Sequence, residues 1–424
     1  MHPEPENVRW NLKMDQIDST ELLIESVHAA RCQRQIVLDP QYLNDENLPE
    51  AERRAILSQI FNRNIREKQV QATASHLAPL LSKVHPQSAL IYGPTGSGKT
   101  VTLIHTLSAF KKVAQGHGVS FRYVYVDLTH PKTLFGAFNE VAIALDGSTK
   151  RYRKGIPIDY MQQCIIDSIG DYDGFLCLLI DEVDNIKPNP DDFLIYLSKT
   201  LPRRVNCQLM LIMLTNRLDW EKSLDPRIMS CLKKTDIIFE PYDALDLLAI
   251  LQLRVEKSLD QNRVEEGALQ KIAAYASKET GDARKAVELL AKAVRVAEES
   301  SGRLTEKEVD IAEERLEVDK TEEMIRSLAS QQYLAFLACY LALDSGCRKT
   351  STGETYDLYR EICQREDTRP LTQRRFSDMI SFLDLYGLVN ARVVSKGRYG
   401  NTREISSSLP ANIIARFLDG DRGN

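Results

Sequence analysis

Eight cysteines are spread through 424 residues without one C-x-x-C pair, a spacing that argues against a zinc site or a disulfide framework. Most of them sit in apolar stretches, where a cysteine serves as a small core residue. No apolar run approaches the roughly 20 residues that a membrane-spanning helix needs. The opening residues, Met1-His2-Pro3-Glu4-Pro5-Glu6, are acidic and polar and show neither the basic nor the hydrophobic region of a secretory signal. A cytoplasmic protein without membrane association is expected, or a nuclear one if the source has a nucleus. Internal repeats and low-complexity tracts are missing too. So is any strong charge excess: the net charge of −5 gives no overall attraction to nucleic acid. That average hides an asymmetry. Residues 325–424 carry 14 Lys and Arg against 11 Asp and Glu, a local +3, which leaves −8 on the remainder. A basic end on an acidic body is compatible with a DNA-binding module.

The order of patterns along the chain predicts three parts after a polar, helix-prone segment over residues 1–62, to which no function is assigned. From residue 63 to 240, short apolar runs alternate with longer amphipathic stretches. Residues 89–92, 123–126, 176–180, 209–214 and 237–239 read as buried parallel strands, spaced widely enough for crossover helices. After Pro241 the strand signal stops. Residues 241–318 show helical periodicity only, as in Leu269, Ile272, Ala273 and Ala276. Residues 319–424 read as three amphipathic helices followed by a short hairpin.

Gly93-Pro94-Thr95-Gly96-Ser97-Gly98-Lys99-Thr100 fits G-x-x-x-x-G-K-[ST], between the first strand and a helical stretch. Glycines let backbone amides wrap phosphates without side-chain clashes, and the following helix adds the positive end of its dipole. Lys99 would reach the β- and γ-phosphates, and the Thr100 hydroxyl would ligate Mg²⁺. The apolar run Leu176-Cys177-Leu178-Leu179-Ile180 ends in Asp181-Glu182. Asp181 is the expected second Mg²⁺ partner, and Glu182 the base that polarises an attacking water. Asn216, closing the next buried strand, could bond that water or the γ-phosphate. Gly281-Asp282-Ala283-Arg284 lies in the helical region, from which Arg284 could reach back to the γ-phosphate and couple helix position to nucleotide state. The ligand expected is ATP or ADP with Mg²⁺.

These elements in this order resemble the AAA+ ATPases. The resemblance implies a Rossmann-like sheet, a small all-helical lid after it, and nucleotide between the two. Leu224-Asp225-Pro226-Arg227 falls where many AAA+ proteins place an arginine that acts on a neighbour's ATP. For Arg227 a local salt bridge is the alternative.

In the last part, Phe376, Met379, Ile380 and Leu383 mark the buried face of a helix that Thr372 can cap. Arg374 and Arg375 then fall in its first turn, where the helix dipole disfavours cations. A local rule broken this way often marks a functional site, and in a helix-turn-helix these positions face the major groove. Gly387 is the candidate C-cap. Two strands, 390–394 and 404–406, flank a turn bearing Lys396, Gly397, Arg398, Tyr399, Gly400 and Arg403. Such a tip can approach phosphates and enter a groove; a solvated hairpin is the alternative.

The stretches Thr352-Gly353-Glu354-Thr355-Tyr356, Pro370-Leu371-Thr372-Gln373-Arg374-Arg375 and Lys396-Gly397-Arg398-Tyr399-Gly400-Asn401-Thr402-Arg403-Glu404-Ile405 resemble the winged-helix domain of archaeal origin-recognition proteins. These are single-chain relatives of the eukaryotic origin recognition complex and its helicase-loading partner. Gly281-Asp282-Ala283-Arg284-Lys285-Ala286 and Leu224-Asp225-Pro226-Arg227 fit the same family, and the resemblance runs from about Arg66 to the C-terminus. It implies a nucleoid-associated initiator that binds duplex origin DNA through Thr372, Arg374, Arg375, Lys396, Arg398, Tyr399 and Arg403. It also implies slow ATP hydrolysis as a switch, recruitment or loading of the MCM replicative helicase, and room for self-association on DNA. Lys150-Arg151-Tyr152-Arg153-Lys154 lies where such initiators carry an extra DNA-touching helix; a solvated loop is the alternative. Two rival readings share the domain order: a DNA motor of the branch-migration type, and a regulatory signalling NTPase whose winged helix does not bind DNA. The cations at 396–403 speak against the second.

Overall fold

The computed structural model of the chain describes residues 35–38, 59, 63, 65–85, 87–147, 156–187, 190–232, 234–344, 349–395, 401–409 and 413–414. Two compact units emerge, Met1–Asp310 and Ile311–Asn424.

In the first unit the apolar runs form strands β1 (Ser88–Tyr92), β2 (Phe121–Asp127), β3 (Phe175–Asp181), β4 (Gln208–Thr215) and β5 (Lys234–Ile238). All pair in parallel, in the order β2-β3-β4-β1-β5. The last strand starts earlier than its apolar run at 237–239. Lys234, Thr235 and Asp236 pair with Ser88, Ala89 and Leu90, and an edge strand tolerates such polar residues because one side is open to solvent.

The period of two along each strand separates two cores. Leu90, Leu178, Leu211 and Met213 pack with helices α3 (Leu134–Asp146) and α4 (Ile158–Ile169) on one face. Ile91, Leu179, Ile212 and Leu214 pack on the other with residues of α1 (Glu67–Leu77) and α2 (Lys99–Gly116). Helices on both faces of a parallel sheet are the doubly wound arrangement, whose ligands sit beyond the carboxyl ends of the strands. Two further helices, α5 (Asp191–Ile195) and α6 (Pro226–Leu232), follow β3 and β4.

Beyond Pro241 come α7 (Ala244–Ser258), α8 (Glu266–Glu279) and α9 (Ala283–Glu299). Asp243 caps α7 by accepting from the Asp246 amide, and Asp282 caps α9 by accepting from the Arg284 amide. Leu269, Ile272, Ala273 and Ala276 are buried. A short N-terminal stretch joins this helical part. Val37 bridges Leu259 in antiparallel fashion, Ile36 is fully buried, and the amides of both Ile36 and Val37 donate to the Glu298 carboxylate at 2.9 and 3.1 Å.

Helix α10 (Glu306–Arg326) runs through the boundary into the second unit. There α11 (Ser330–Asp344), β6 (Thr350–Ser351), α12 (Thr352–Arg365), α13 (Gln373–Leu385), β7 (Val389–Ser395) and β8 (Asn401–Ser407) form a winged helix. Its antiparallel sheet has the order β6-β8-β7. The two-residue strand β6 is too short to leave a sequence pattern. Ser351 and Glu354 form a capping box at the start of α12, which satisfies two orphan amides reciprocally. Phe376 on α13 is fully buried, its ring 4.9 Å from Tyr359 and 5.4 Å from Tyr356. Among the described residues, no helix is long and apolar enough to cross a membrane.

Because Phe376 joins α13 to α12, Phe376→Ala should cost about 3–5 kcal/mol, the usual range for a buried aromatic. Urea unfolding followed by near-ultraviolet circular dichroism measures it; a loss below about 1 kcal/mol would contradict this packing.

Candidate functional site

The phosphate loop connects β1 to α2 at the carboxyl edge of the sheet. Its shape depends on two glycines in left-handed conformations, Gly96 (φ +71°) and Gly98 (φ +81°). The space a side chain would need is already filled. A Cβ on Gly96 would lie 1.6 Å from the Asp282 carboxylate, and one on Gly98 would lie 2.1 Å from the Tyr242 hydroxyl. Asp282 begins α9 and Tyr242 precedes α7, so the helical part meets the loop at both glycines. The Ala283 amide also donates to the Gly96 carbonyl at 3.3 Å. Within the loop, Ser97 is buried and its hydroxyl donates to the Pro94 carbonyl at 2.8 Å.

Lys99 opens α2 and is buried. Its ammonium donates to the carbonyls of Gly93 and Pro94 at 2.8 and 2.9 Å, and to Asn216 Oδ1 at 2.8 Å. All three acceptors are neutral. Burial pulls its pKa below the ordinary lysine value; Asp181 opposes that shift, and Arg284 adds to it. The Arg284 amide donates at 2.7 Å to the Asp282 carboxylate that lies against Gly96, so the start of α9 stands beside the loop. A buried cation held by neutral oxygens, inside a loop of backbone amides, fits an anion such as a polyphosphate.

Thr100 and Asp181 meet directly, hydroxyl to carboxylate oxygen, at 2.5 Å. The Tyr125 hydroxyl donates to the same carboxylate oxygen at 3.2 Å, and burial and neighbouring acids push the phenol's pKa strongly upward. Two hard oxygens converging beside a phosphate loop are suited to Mg²⁺, which takes few protein ligands. Glu182 follows with φ +53°, an uncommon backbone conformation for a residue other than glycine. Asn185 Nδ2 donates to Glu182 Oε2 at 2.7 Å and also reaches the Leu128 carbonyl at 3.2 Å. That amide sets the carboxylate's direction.

The fold thus gathers Gly93, Pro94, Thr95, Gly96, Ser97, Gly98, Lys99, Thr100, Asp181, Glu182, Asn216 and Arg284 at one end of the sheet. Arg227 is placed elsewhere. It is exposed at the start of α6, its amide donating to Asp225 at 2.8 Å. Its cleft of about 250 Å³ is lined by Asp191, Asp192, Ile195 and Asp225, with no phosphate-loop residue.

Sequence reasoning missed Tyr242, Asn185 and Arg66. Arg66 is buried with φ +64°. Its guanidinium lies 3.9 Å from the centroid of the Tyr242 ring and donates to the Glu240 carbonyl at 2.6 Å. It therefore supports the tyrosine that touches Gly98. Nothing in local composition marks the roles of Tyr242 and Arg66, which arise from contacts between segments far apart in the chain; Asn185 lies three residues from Glu182, and its remote partner is the Leu128 carbonyl.

In the winged helix, Thr372 caps α13 by accepting from the Arg375 amide, and Arg374 and Arg375 are exposed in the first turn. Gly387 has φ +69° after the helix end. Arg403 turns from β8 toward α13, donating to the Ser377 carbonyl at 3.1 Å. Lys396, Arg398 and Tyr399 lie outside the described residues, as does the cationic stretch 150–154.

A parallel sheet with a phosphate loop after β1, paired acids after β3, a polar residue after β4 and a helical lid touching the loop defines an AAA+ protein, here with a C-terminal winged helix. Comparison with known proteins agrees. Residues 82–219 match the AAA domain, 248–314 the Cdc6 AAA+ ATPase-type lid domain, and 323–416 the CDC6 C-terminal winged helix domain. The chain is 37% identical over 350 residues to an ORC1-type DNA replication protein of Pyrococcus abyssi, covering 80% of this chain and 82% of that one. It is 33% identical over 356 residues to ORC1-type DNA replication protein 1 of Methanosarcina acetivorans, covering 83% and 86%. The solved structure of the Aeropyrum pernix ORC1 protein in complex with DNA matches with a TM-score of 0.68 and 29% identity, covering 91% of this chain and 97% of that one. The chain belongs to the ORC1-type DNA replication protein family.

Two substitutions test the geometry of the loop. Gly98→Ala forces a Cβ onto the Tyr242 hydroxyl in a left-handed backbone, and Lys99→Ala removes the buried cation. Calorimetric titration of each folded variant with ADP and Mg²⁺ should show binding weakened about ten- to a hundredfold, since the charge-assisted bond lost in Lys99→Ala is worth about 1.5–3 kcal/mol and the strain added in Gly98→Ala about 1–3 kcal/mol. Unchanged affinity in Lys99→Ala would sink the phosphate-site assignment.

Proposed function

We propose that this protein is an ATP-dependent replication initiator that binds duplex origin DNA, with nucleotide as its switch. One observation carries the reading: a lid seated on the phosphate loop through Asp282 and Tyr242 occurs in the same chain as a winged helix exposing Arg374 and Arg375 at the start of α13. The Aeropyrum relative's solved complex with DNA supports DNA binding.

The chain's residues divide the work by position. Loop amides and Lys99 hold the phosphates, and Thr100 with Asp181 holds Mg²⁺. The metal supplies charge neutralisation at the phosphates when bound. Glu182, its carboxylate aimed by Asn185, accepts the proton of the attacking water. Asn216, already bonded to Lys99, orients that water or the γ-phosphate. Arg284 answers the γ-phosphate from the lid. Since Arg284 lies in the first turn of α9, phosphate loss changes what anchors that helix, which is the switch. Arg227, outside the chain's own loop, would serve the nucleotide of a neighbouring copy if copies associate on DNA; Asp191, Asp192 and Asp225 offer it local pairing instead. On DNA, Arg374, Arg375, Lys396, Arg398 and Tyr399 would make the contacts. Recruitment or loading of the MCM helicase is the downstream step that the family resemblance implies.

Turnover should be slow, well under the enzyme median of about 10 s⁻¹, and Glu182→Gln should retain nucleotide while suppressing hydrolysis. A steady-state assay with duplex DNA checks both; several turnovers per second would favour a motor. Arg375→Ala should weaken binding to the correct duplex by about 1–3 kcal/mol and to a scrambled one by less, if the side chain reads a base. Electrophoretic mobility shifts on DNA flanking the protein's own gene, beside a scrambled control, measure the difference. Equal losses on both duplexes would reassign Arg375 to phosphate.

A further inference from the structure

Arg403 is one of the wing cations, yet its side chain is committed inside the domain. From β8 its guanidinium donates to the Ser377 carbonyl at 3.1 Å and to the Ser381 hydroxyl, both midway along α13. The Ser381 hydroxyl donates in turn to the Ser377 carbonyl at 3.0 Å, so the three groups close a triangle. Residue 403 is held on other sides as well. It pairs with Val393 in β7, and its carbonyl accepts from the Thr352 hydroxyl at the start of α12 at 3.4 Å. The next residue, Glu404, accepts from Lys349 at 2.6 Å.

Both acceptors are neutral and both are bonded by the one nitrogen Nη1, so the guanidinium here contributes reach rather than an ion pair. Its effect is mechanical: the strand that carries the wing is fastened to the helix that carries Arg374 and Arg375. Two DNA contacts held at a fixed angle bind as one unit, whereas a loose wing must be ordered at each binding event. We propose that Arg403 is a positioning residue that sets the wing against the recognition helix, and that it takes up no DNA phosphate itself. This rests on the reading of the winged helix as a DNA binder.

The salt dependence of binding separates the two roles. A lysine or arginine that neutralises a phosphate contributes about 0.9 to the slope of log K against log salt, and a brace contributes nothing. The experiment uses the full chain, a fluorescein-labelled random-sequence duplex and anisotropy titrations across a KCl series, with Arg403→Ala, Arg403→Lys and Ser381→Ala. Arg403→Ala and Arg403→Lys should both weaken binding on the order of tenfold with the wild-type slope, because lysine keeps the charge but its ammonium ends one bond short of the position that Nη1 occupies between Ser377 and Ser381. Ser381→Ala should weaken binding in the same direction without changing the slope. The hydroxyl-radical footprint of Arg403→Ala should shorten on one flank only, which a general loss of stability would not produce. A slope lowered by about 0.9 in Arg403→Ala and restored in Arg403→Lys would make Arg403 a phosphate contact and overturn the proposal. So would wild-type affinity in all three variants. If Arg403→Ala does not fold, Arg403→Lys and Ser381→Ala decide between the two roles. Failure of the wild-type chain to bind duplex would instead overturn the DNA reading beneath it.

Discussion

The phosphate loop can be approached from the lid only because it has no side chains at two positions. Gly96 and Gly98 leave gaps that the Asp282 carboxylate and the Tyr242 hydroxyl occupy. Three segments remote in sequence converge there: the loop, the residues just before α7 and the N-cap of α9. Gly281 completes the junction, since a Cβ on it would lie 2.6 Å from Pro241 and 2.7 Å from the Tyr242 carbonyl. Close packing of this kind does not deform gradually. Displacement of the loop is therefore felt at the start of two lid helices together.

The charges at the site are arranged with similar economy. Lys99 keeps its ammonium among neutral oxygens, while the acids stand slightly apart and bond to hydroxyls and amides. Thr100 and Tyr125 donate to Asp181, and Asn185 donates to Glu182. A direct buried pair between Lys99 and Asp181 would have satisfied both charges and left little for a ligand to gain. Keeping them apart preserves one cationic place and one anionic place, matched to phosphate and metal respectively.

The parallel strands and the phosphate loop were legible because their signals are local: apolar runs of strand length, a glycine pattern and acids at a strand end. Thr372 and the buried face of α13 were legible for the same reason, as periodicity and capping operate within one turn or two. Other features depend on tertiary contact and left no local trace. Asn185 is only three residues from Glu182, but the Leu128 carbonyl that also holds its amide comes near only because β3 lies beside β2. Arg66 reads as a charged residue before a helix, yet folding places it under Tyr242. Arg403 carried the opposite lesson. A cation near a wing tip suggests phosphate, but the register of β8 against β7 and the closeness of α13 turn it inward.

The matched AAA domain begins at residue 82, although the chain's own lid is completed from much further upstream. Ile36 is fully buried against it and the Glu298 carboxylate receives two amides from residues 36 and 37. A chain trimmed to the recognisable domains would thus expose an apolar hole and strand a carboxylate whose donors had been cut away. In this protein the start of the matched AAA domain and the boundary of the folded body are different places, and a cut just after residue 38 would loosen the nucleotide lid.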